Sequence, residues 1–183
     1  MGAFTVVGIS GSLRKASTNT GLLRLAQAVT PETLDIRIAD ISDIPLYNAD
    51  VEAVARPEGV VRLADQIAGA DALLLACPEY NYCMAPPLKN ALDWVSRIPN
   101  YTGFNRKPAA IVGAGGGMGT SRAQYQLRQM CVYLNVLPLS KPEFFSNAFT
   151  DAFDASGNVV SPDLKQQMRG VLDALCVWIE TLA

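Results

Sequence analysis

The fold is decided by the segment that reads Phe4-Thr5-Val6-Val7-Gly8-Ile9-Ser10-Gly11-Ser12-Leu13-Arg14-Lys15-Ala16-Ser17-Thr18-Asn19-Thr20. Its first part, Phe4 to Ile9, is a nearly continuous apolar run, which is typical of a strand buried on both faces of a parallel sheet. An apolar helical period begins at Leu22. The residues from Ser10 to Thr20 are therefore expected to form a loop that joins a buried strand to a helix, as in α/β folds.

Four further short apolar segments alternate with stretches of helical period along the rest of the chain. They predict strands at Thr33 to Ala39, Ala72 to Ala76, Pro108 to Gly113 and about Val136 to Phe144. Pro138 and Pro142 break the last segment and Glu143 adds a charge, so this strand is expected at an edge of the sheet. The pattern predicts a doubly wound α/β fold with a five-stranded parallel sheet in the order 2-1-3-4-5 and helices on both faces.

The predicted helices show apolar faces at the spacing of the helical turn. The residues expected to face the core are Leu22, Leu25, Ala26 and Val29; Val60, Leu63, Ala64 and Ile67; Leu88, Ala91, Leu92 and Val95; Ala123, Leu127, Met130 and Leu134; and Leu164, Met168, Val171, Leu172, Leu175 and Ile179. Ser161 and Pro162 are good start signals for the last helix, from about Ser161 to Leu182. The residues from Ser146 to Val160 lack a period, which predicts a surface excursion within one domain spanning residues 1–183.

Composition and charge narrow the class of partner. The chain has 183 residues, 50% of them hydrophobic, and a net charge of -2 with 15 scattered Lys and Arg residues. Neither a nucleic acid nor an anionic membrane is therefore expected as a partner. No apolar run approaches the roughly 18–20 residues that span a bilayer, and residues 1–12 lack the basic start and cleavage site of a signal peptide. A cytoplasmic protein with a small-molecule partner is expected.

Few side chains are suited to acid–base or metal chemistry. The chain has no His, and its 4 Cys residues, Cys77, Cys83, Cys131 and Cys176, form no Cys-x-x-Cys pair. The usual zinc sites and any His-based triad are excluded. The chemistry is therefore expected to come from a bound cofactor.

The loop from Ser10 to Thr20 is rich in groups that bind an anion. Hydroxyl groups at Ser10, Ser12, Ser17 and Thr20, the guanidinium of Arg14 and the free N–H groups of the following helix suit a terminal phosphate. The alternative is that Ser17 or Asn19 only caps the helix and that Arg14 is a solvated surface charge. The spacing of neither a Walker loop nor a dinucleotide fingerprint is present, so a mononucleotide is favoured over a tightly bound dinucleotide.

Two further loops follow the predicted third and fourth strands. The first reads Cys77-Pro78-Glu79-Tyr80-Asn81-Tyr82-Cys83-Met84-Ala85-Pro86-Pro87, and the second reads Gly113-Ala114-Gly115-Gly116-Gly117-Met118-Gly119. Aromatic side chains and glycines suit a flat ligand, although the tyrosines could be core or surface residues, the prolines could only start a helix and the glycines could only form a tight turn. Because the carboxyl ends of parallel strands share one edge of a sheet, all three loops are expected to converge there.

Four motifs give the chain a resemblance to the NADPH-dependent FMN reductase family, which includes quinone, azo-dye and chromate reductases. The motifs are Gly-Ser-Leu-Arg-Lys-x-Ser-x-Asn at 11–19, Ile-Pro-Leu-Tyr-Asn at 44–48, Pro-Glu-Tyr-Asn-Tyr at 78–82 and Leu-Lys-Asn-Ala-Leu-Asp-Trp at 88–94. The resemblance implies a flavodoxin-like fold, bound FMN, NADPH or NADH as electron donor, small electron acceptors, and a homodimer or homotetramer. The flavin, and no side chain, would carry the reaction.

The resemblance also implies where FMN binds. The first loop would hold the phosphate, Pro78 to Tyr82 would embrace the isoalloxazine, and Ala114 to Gly117 would border it. The residues expected to contact FMN are Ser10, Ser12, Leu13, Arg14, Ser17, Asn19, Thr20, Pro78, Glu79, Tyr80, Asn81, Tyr82, Ala114, Gly115, Gly116 and Gly117. Cys83 to Pro87 departs from the family, which usually has Ser-x-Pro-Gly-Gly there. Because this stretch lies downstream of the flavin-binding amides, FMN is expected to bind and the departure to affect acceptor choice.

Two other functional classes are compatible with the same fold. A flavodoxin-type electron carrier would dock redox proteins and have no nicotinamide site of its own, but such carriers are usually much more acidic than a chain of net charge -2. A flavin-free nucleotide sensor would keep the fold without redox chemistry. A yellow purified protein would separate the flavin-binding classes from the sensor.

Overall fold

The computed structural model describes residues 3–183; residues 1 and 2 of the predicted domain lie outside the described part. Eight strands and six helices are present in that part of the chain. The strands are β1 (Phe4–Ser10), β2 (Leu34–Ala39), β3 (Ala72–Ala76), β4 (Glu79–Tyr80), β5 (Cys83–Met84), β6 (Pro108–Gly115), β7 (Leu137–Pro138) and β8 (Phe144–Asn147). The helices are α1 (Thr18–Val29), α2 (Ala49–Val54), α3 (Glu58–Ala68), α4 (Pro86–Ser96), α5 (Ser121–Leu134) and α6 (Pro162–Leu182).

A parallel sheet in the order β2-β1-β3-β6-β7 forms the centre of the fold, and β8 pairs with β6 further along the same edge. This arrangement confirms the predicted doubly wound sheet. The predicted fifth strand from Val136 to Phe144 is wrong as one element, because the chain leaves the sheet between Leu139 and Glu143. A strand containing Pro138 and Pro142 lacks two ladder donors, and the two short pieces pair only with β6, at the edge.

The core lies in two layers, one on each face of the sheet. On one face α3, α4 and α5 cover the sheet, with Leu63, Leu92 and Leu127 fully buried. On the other face α1 and α6 pack together, with Leu22 and Leu172 fully buried. The predicted apolar faces therefore point into the core, except that Val29 and Met130 are only partly buried. None of the described helices is both long and apolar enough to cross a membrane.

Sequence periodicity did not predict the short helix α2 or the hairpin of β4 and β5. Helix α2 follows Asn48, whose side chain accepts a hydrogen bond from the Asp50 N–H and so caps the helix. In the hairpin, Asn81 and Tyr82 occupy the two turn positions with φ of 52° and 68°. Positive φ at both central residues is the backbone of a type I′ turn, which matches the twist of the two strands.

The predicted surface excursion begins at Ala148, two residues later than expected, because Ser146 and Asn147 belong to β8. It runs to Ser161, whose hydroxyl caps α6 by accepting from the Leu164 N–H at 3.3 Å. The excursion packs back on α1: a Cβ added at Gly21 would lie 1.8 Å from the Gly157 carbonyl oxygen. This close approach requires glycine and joins the excursion to α1.

Candidate functional site

The loops that follow β1, β3 and β6 meet at one edge of the sheet and enclose a cleft of about 250 Å³. The expected convergence of the three loops is therefore observed. The cleft is lined by Ser12, Arg14, Ser17, Thr18, Asn19, Glu79, Tyr80, Ala114, Gly115, Gly116, Ala148 and Phe149.

One end of the cleft is built from the start of α1. Ser17 is the N-cap: its hydroxyl accepts from the Thr20 N–H at 3.1 Å and its carbonyl from the Gly21 N–H at 2.8 Å. The N–H groups of Thr18 and Asn19 have no hydrogen-bond partner among the described residues. Arg14 lines the same end, and its Nη2 donates to the Ala16 carbonyl at 2.7 Å. Free helical N–H groups beside a guanidinium form a site for an anion.

Asn19 connects the first loop to the third. Its Nδ2 donates to the Ala114 carbonyl at 2.8 Å, and its Oδ1 accepts from the Ala114 N–H at 3.1 Å. The side chain is 4% exposed, so both bonds are made in the interior. Strand β3 ends at Ala76, so Ala114 of β6 lies beyond the residues that pair with β3. The side-chain amide of Asn19 takes the place of a β3 peptide there and makes both hydrogen bonds with Ala114. Asn19 thus fixes the distance between the two loops.

The β4–β5 hairpin forms one wall of the cleft, with Tyr80 half-exposed in it. The carboxylate of Glu79 points toward α5, where Oε2 accepts from the Ala123 N–H at 3.1 Å and Oε1 lies 3.5 Å from Arg122 Nη1. The Thr120 side chain makes no capping bond, so Glu79 caps α5 from another element. The Arg122 guanidinium carbon lies 4.1 Å from the centre of the Tyr82 ring, a cation–π contact that holds the turn.

The glycine loop forms the floor of the cleft. Gly119 has a φ of 60°, and a Cβ there would lie 2.7 Å from Phe145 Cβ, so this glycine serves the turn. Gly116 and Gly117 differ, because an added Cβ would meet no atom within 4 Å at either position. The tight-turn interpretation therefore applies to Gly119, whereas the close approach of a ligand at Gly116 and Gly117 stays a prediction. At Gly116 the bare backbone borders open space in the cleft, into which a flat ligand could fit closely.

Sequence reasoning did not assign Thr18, Ala148 or Phe149 to the site. Thr18 lies inside the quoted first loop, where the other hydroxyls had been selected. Ala148 and Phe149 belong to the excursion that had been interpreted only as a surface segment. Phe149 is a large apolar residue followed directly by polar Thr150 and Asp151, and that contrast was the available signal in the sequence. In the structure 85% of Phe149 is exposed.

The remaining predicted residues lie around the cleft without lining it. Ser10, Leu13 and Thr20 border a second hollow of about 320 Å³ between the first loop and the end of β2, which Ser12 and Arg14 also line. Ser10 is buried, and its Oγ lies 2.8 Å from Thr20 Oγ1. Pro78, Asn81, Tyr82 and Gly117 flank the cleft on the second and third loops. Their contacts with FMN stay a prediction.

The departure from the family at Cys83 to Pro87 has a clear structural role. Cys83 and Met84 form the second strand of the hairpin, and Pro86 and Pro87 occupy the first turn of α4. The first N–H groups of a helix have no intrahelical partner, so proline costs no helical hydrogen bond there. None of these residues lines the cleft, and their effect on acceptor choice stays a prediction.

The chemistry of the cleft favours ligand binding over acid–base catalysis by side chains. Of its described lining residues, Arg14 and Glu79 carry charge, and the Glu79 carboxylate is occupied with α5. Cys77, at the end of β3, is buried, and burial raises the pKa of its thiol to about 12, so it is protonated at neutral pH. The cleft therefore combines a helix start and a guanidinium that suit an anion, an open glycine floor and an aromatic wall.

Known proteins are similar to this chain in sequence and in fold. The sequence model of the NADPH-dependent FMN reductases matches residues 4–151. An NAD(P)H-dependent FMN reductase of Pseudomonas aeruginosa is 50% identical over 178 residues, with 97% of this chain and 96% of the relative covered. An NADPH:quinone oxidoreductase of Arabidopsis thaliana is 47% identical over 176 residues, with 93% and 89% covered. The solved structure of a flavoenzyme NAD(P)H:(acceptor) oxidoreductase from Paracoccus denitrificans has a TM-score of 0.87 at 35% identity, with 98% of both chains covered.

Proposed function

Because the chain belongs to the NADPH-dependent FMN reductase family and is thus an FMN-dependent NAD(P)H oxidoreductase, we propose that its cleft holds FMN and that small acceptors such as quinones take up the electrons. The resemblance stated from the motifs is confirmed by the family match. The alternative of an electron carrier without a nicotinamide site is not favoured, since two of the similar proteins are named as an NAD(P)H-dependent FMN reductase and an NADPH:quinone oxidoreductase. The observation that carries the proposal is the convergence of three loops around one cleft.

The phosphate end of the cleft fits FMN in charge and geometry. A phosphate dianion there would accept from the free N–H groups of Thr18 and Asn19 and from the Ser12 hydroxyl, and would pair with Arg14. Gly11 packs against Pro78 so closely that an added Cβ would lie 2.6 Å from Pro78 Cδ. This packing brings the second loop against the first, which supports a ring end of the cleft beside the phosphate end.

The ring end fits a flat heterocycle. The open backbone at Gly116 allows close approach from the floor, and the half-exposed ring of Tyr80 provides a wall. FMN, when bound, supplies the hydride and electron transfer that no side chain here could perform. The role of the chain is to bind, to orient the ring and to present backbone N–H groups of residues 79–82 to its polar edge.

Small planar acceptors are the substrate class that the relatives support. Quinone is part of the name of the similar proteins from Arabidopsis thaliana and Escherichia coli. Azo compounds and chromate are further acceptors that the family resemblance implies. The 4 free cysteines suit a reducing compartment, and we place the protein in the cytoplasm.

Assembly into a homodimer or homotetramer is part of the same proposal. We expect the exposed face of α5 to contribute Arg122 and Tyr125 to the contact, with Glu143 as a charged partner. Within one chain Tyr125 donates to Glu143 at 3.2 Å, whereas Arg122 contacts Glu79 and Tyr82. This face carries charged and aromatic side chains that a second copy could contact.

Steady-state turnover tests the proposed function directly. The purified protein loaded with FMN should oxidise NADPH or NADH when a benzoquinone or naphthoquinone is present, and a panel of both nicotinamides and several quinones would rank them. The control is free FMN at the same concentration with the same reactants. A rate no higher than this control with every combination would contradict the proposal.

A further inference from the structure

We propose that Phe149 is a specificity-determining residue, an aromatic surface on which a planar electron acceptor stacks above the cleft. This inference rests on the proposed function, since it needs an electron-transfer site in the cleft. Phe149 lines the cleft, yet 85% of it is exposed. Neither the sequence motifs nor the expected flavin contacts include this residue.

The backbone that carries Phe149 is firmly held. The Ala148 N–H donates to the Gly115 carbonyl at 2.7 Å, so the segment continues the pairing of β8 with the glycine loop. The Phe149 N–H donates to Asn147 Oδ1 at 2.9 Å, and Thr150 Oγ1 donates to the Asn147 carbonyl at 3.0 Å. These hydrogen bonds fix the backbone on both sides of Phe149, while its ring is largely exposed.

The far end of the excursion is anchored on the first loop. Gly157 packs against it so tightly that an added Cβ would lie 2.8 Å from the Ala16 carbonyl oxygen. Arg24 of α1 donates through Nε to Asn158 Oδ1 at 2.7 Å. The excursion therefore spans from the glycine loop to the phosphate loop as a bridge along one side of the cleft, with Phe149 near its glycine-loop end.

Phe149 and Tyr80 reach the cleft from opposite faces of the sheet. The excursion packs in the layer of α1 and α6, where Ala148 and Phe153 join the core. The hairpin that carries Tyr80 packs on the other layer, through Met84. Two exposed aromatic side chains thus border the same cleft on its two sides, an arrangement that suits a flat ligand between them.

The chemistry of Phe149 points to the acceptor as its ligand. The groups suited to recognise FMN, namely hydroxyls, a guanidinium and backbone N–H groups, lie on the three loops, whereas Phe149 offers an apolar ring without a hydrogen-bonding group. A planar quinone has an aromatic face to stack and gains from covering exposed apolar surface. A compact inorganic acceptor such as ferricyanide has no such face.

The test compares two acceptors in the FMN-loaded enzyme with Phe149→Ala, Phe149→Tyr and wild type. Phe149→Ala should raise the apparent KM for menadione about 10-fold while kcat changes less than about twofold, because a stacking contact is lost. The rate with ferricyanide, the KM for NADPH and the Kd for FMN should stay within about twofold of wild type. Phe149→Tyr keeps the ring and should restore the menadione KM.

Val177→Ala is the control, since Val177 is also a highly exposed apolar residue, on α6, and does not line the cleft. It should leave the menadione KM unchanged. An unchanged KM for menadione in Phe149→Ala would overturn the inference. An equal rise of the KM for menadione and the KM for NADPH, or a loss of FMN affinity, would also overturn it. Failure of the proposed function is distinguishable, because the wild type itself would then show no NADPH oxidation with either acceptor.

Discussion

Replacement of Asn19 by Ala tests the connection between the first and third loops. The substitution removes two hydrogen bonds and leaves both the N–H and the carbonyl of Ala114 without a partner in the interior, because Asn19 is 4% exposed. A buried polar group left unpaired costs about 1–3 kcal/mol, so two groups cost about 2–6 kcal/mol where water cannot enter. For a chain of this length a loss of about 3 kcal/mol lowers Tm by roughly 6–12 °C.

The assay is thermal unfolding of the FMN-free protein, followed by circular dichroism. Thr18→Ala is the matched control, because Thr18 is the adjacent residue and its hydroxyl has no partner among the described residues; its Tm should change by less than about 2 °C. Asn19→Asp keeps the shape but places a carboxylate oxygen against the Ala114 carbonyl, so at pH 7 it should destabilise at least as much as Asn19→Ala. A Tm of Asn19→Ala equal to that of Thr18→Ala would refute the assignment.

Three further predictions concern the phosphate, the cysteines and assembly. Arg14→Ala should weaken FMN binding about 10- to 100-fold, since a charge-assisted hydrogen bond to phosphate is lost. Lys15→Ala, which removes the neighbouring cation, should change the Kd for FMN by less than about threefold. Equal effects of the two substitutions in a fluorescence titration would reject the assignment of Arg14. A thiol reagent at pH 7.5 should label exposed Cys83 first and buried Cys77 and Cys131 last, as followed by mass spectrometry. Burial raises the pKa of both buried thiols to about 12 and keeps them protonated until the pH nears that value. Early labelling of either buried thiol would contradict this prediction. Sedimentation at micromolar concentration should show a dimer or tetramer, and a monomer would end the proposal of assembly.

Local patterns predicted most of the secondary structure because the core of this fold is built from them. Strand β3 was predicted with its observed bounds, since a short uninterrupted apolar run that follows Asp71 and ends just before Pro78 is typical of a strand buried on both faces of a sheet. Helix α6 was predicted to within a residue at its start, because Ser161 and Pro162 act through nearby backbone groups. Such signals lie within a few residues of the element that they define.

The missed features depend on contacts between distant parts of the chain. The Asn19 side chain was expected to cap α1 or bind phosphate, and only the fold shows that it pairs with Ala114, 95 residues away in the sequence. The role of the excursion likewise depends on Gly157 lying against Gly21. The type I′ turn at Asn81 and Tyr82 was missed because tyrosine rarely adopts positive φ, and the Arg122 contact that holds it is also distant in sequence.

The three loops are proposed to form an FMN site whose first loop binds the phosphate. The most direct measurement compares the affinity of the FMN-free protein for FMN and for riboflavin, which has the same ring without the phosphate. FMN is expected to bind at least about 100-fold more tightly than riboflavin, since the phosphate would meet Arg14 and the free N–H groups at the start of α1. Equal affinities for the two flavins would contradict it.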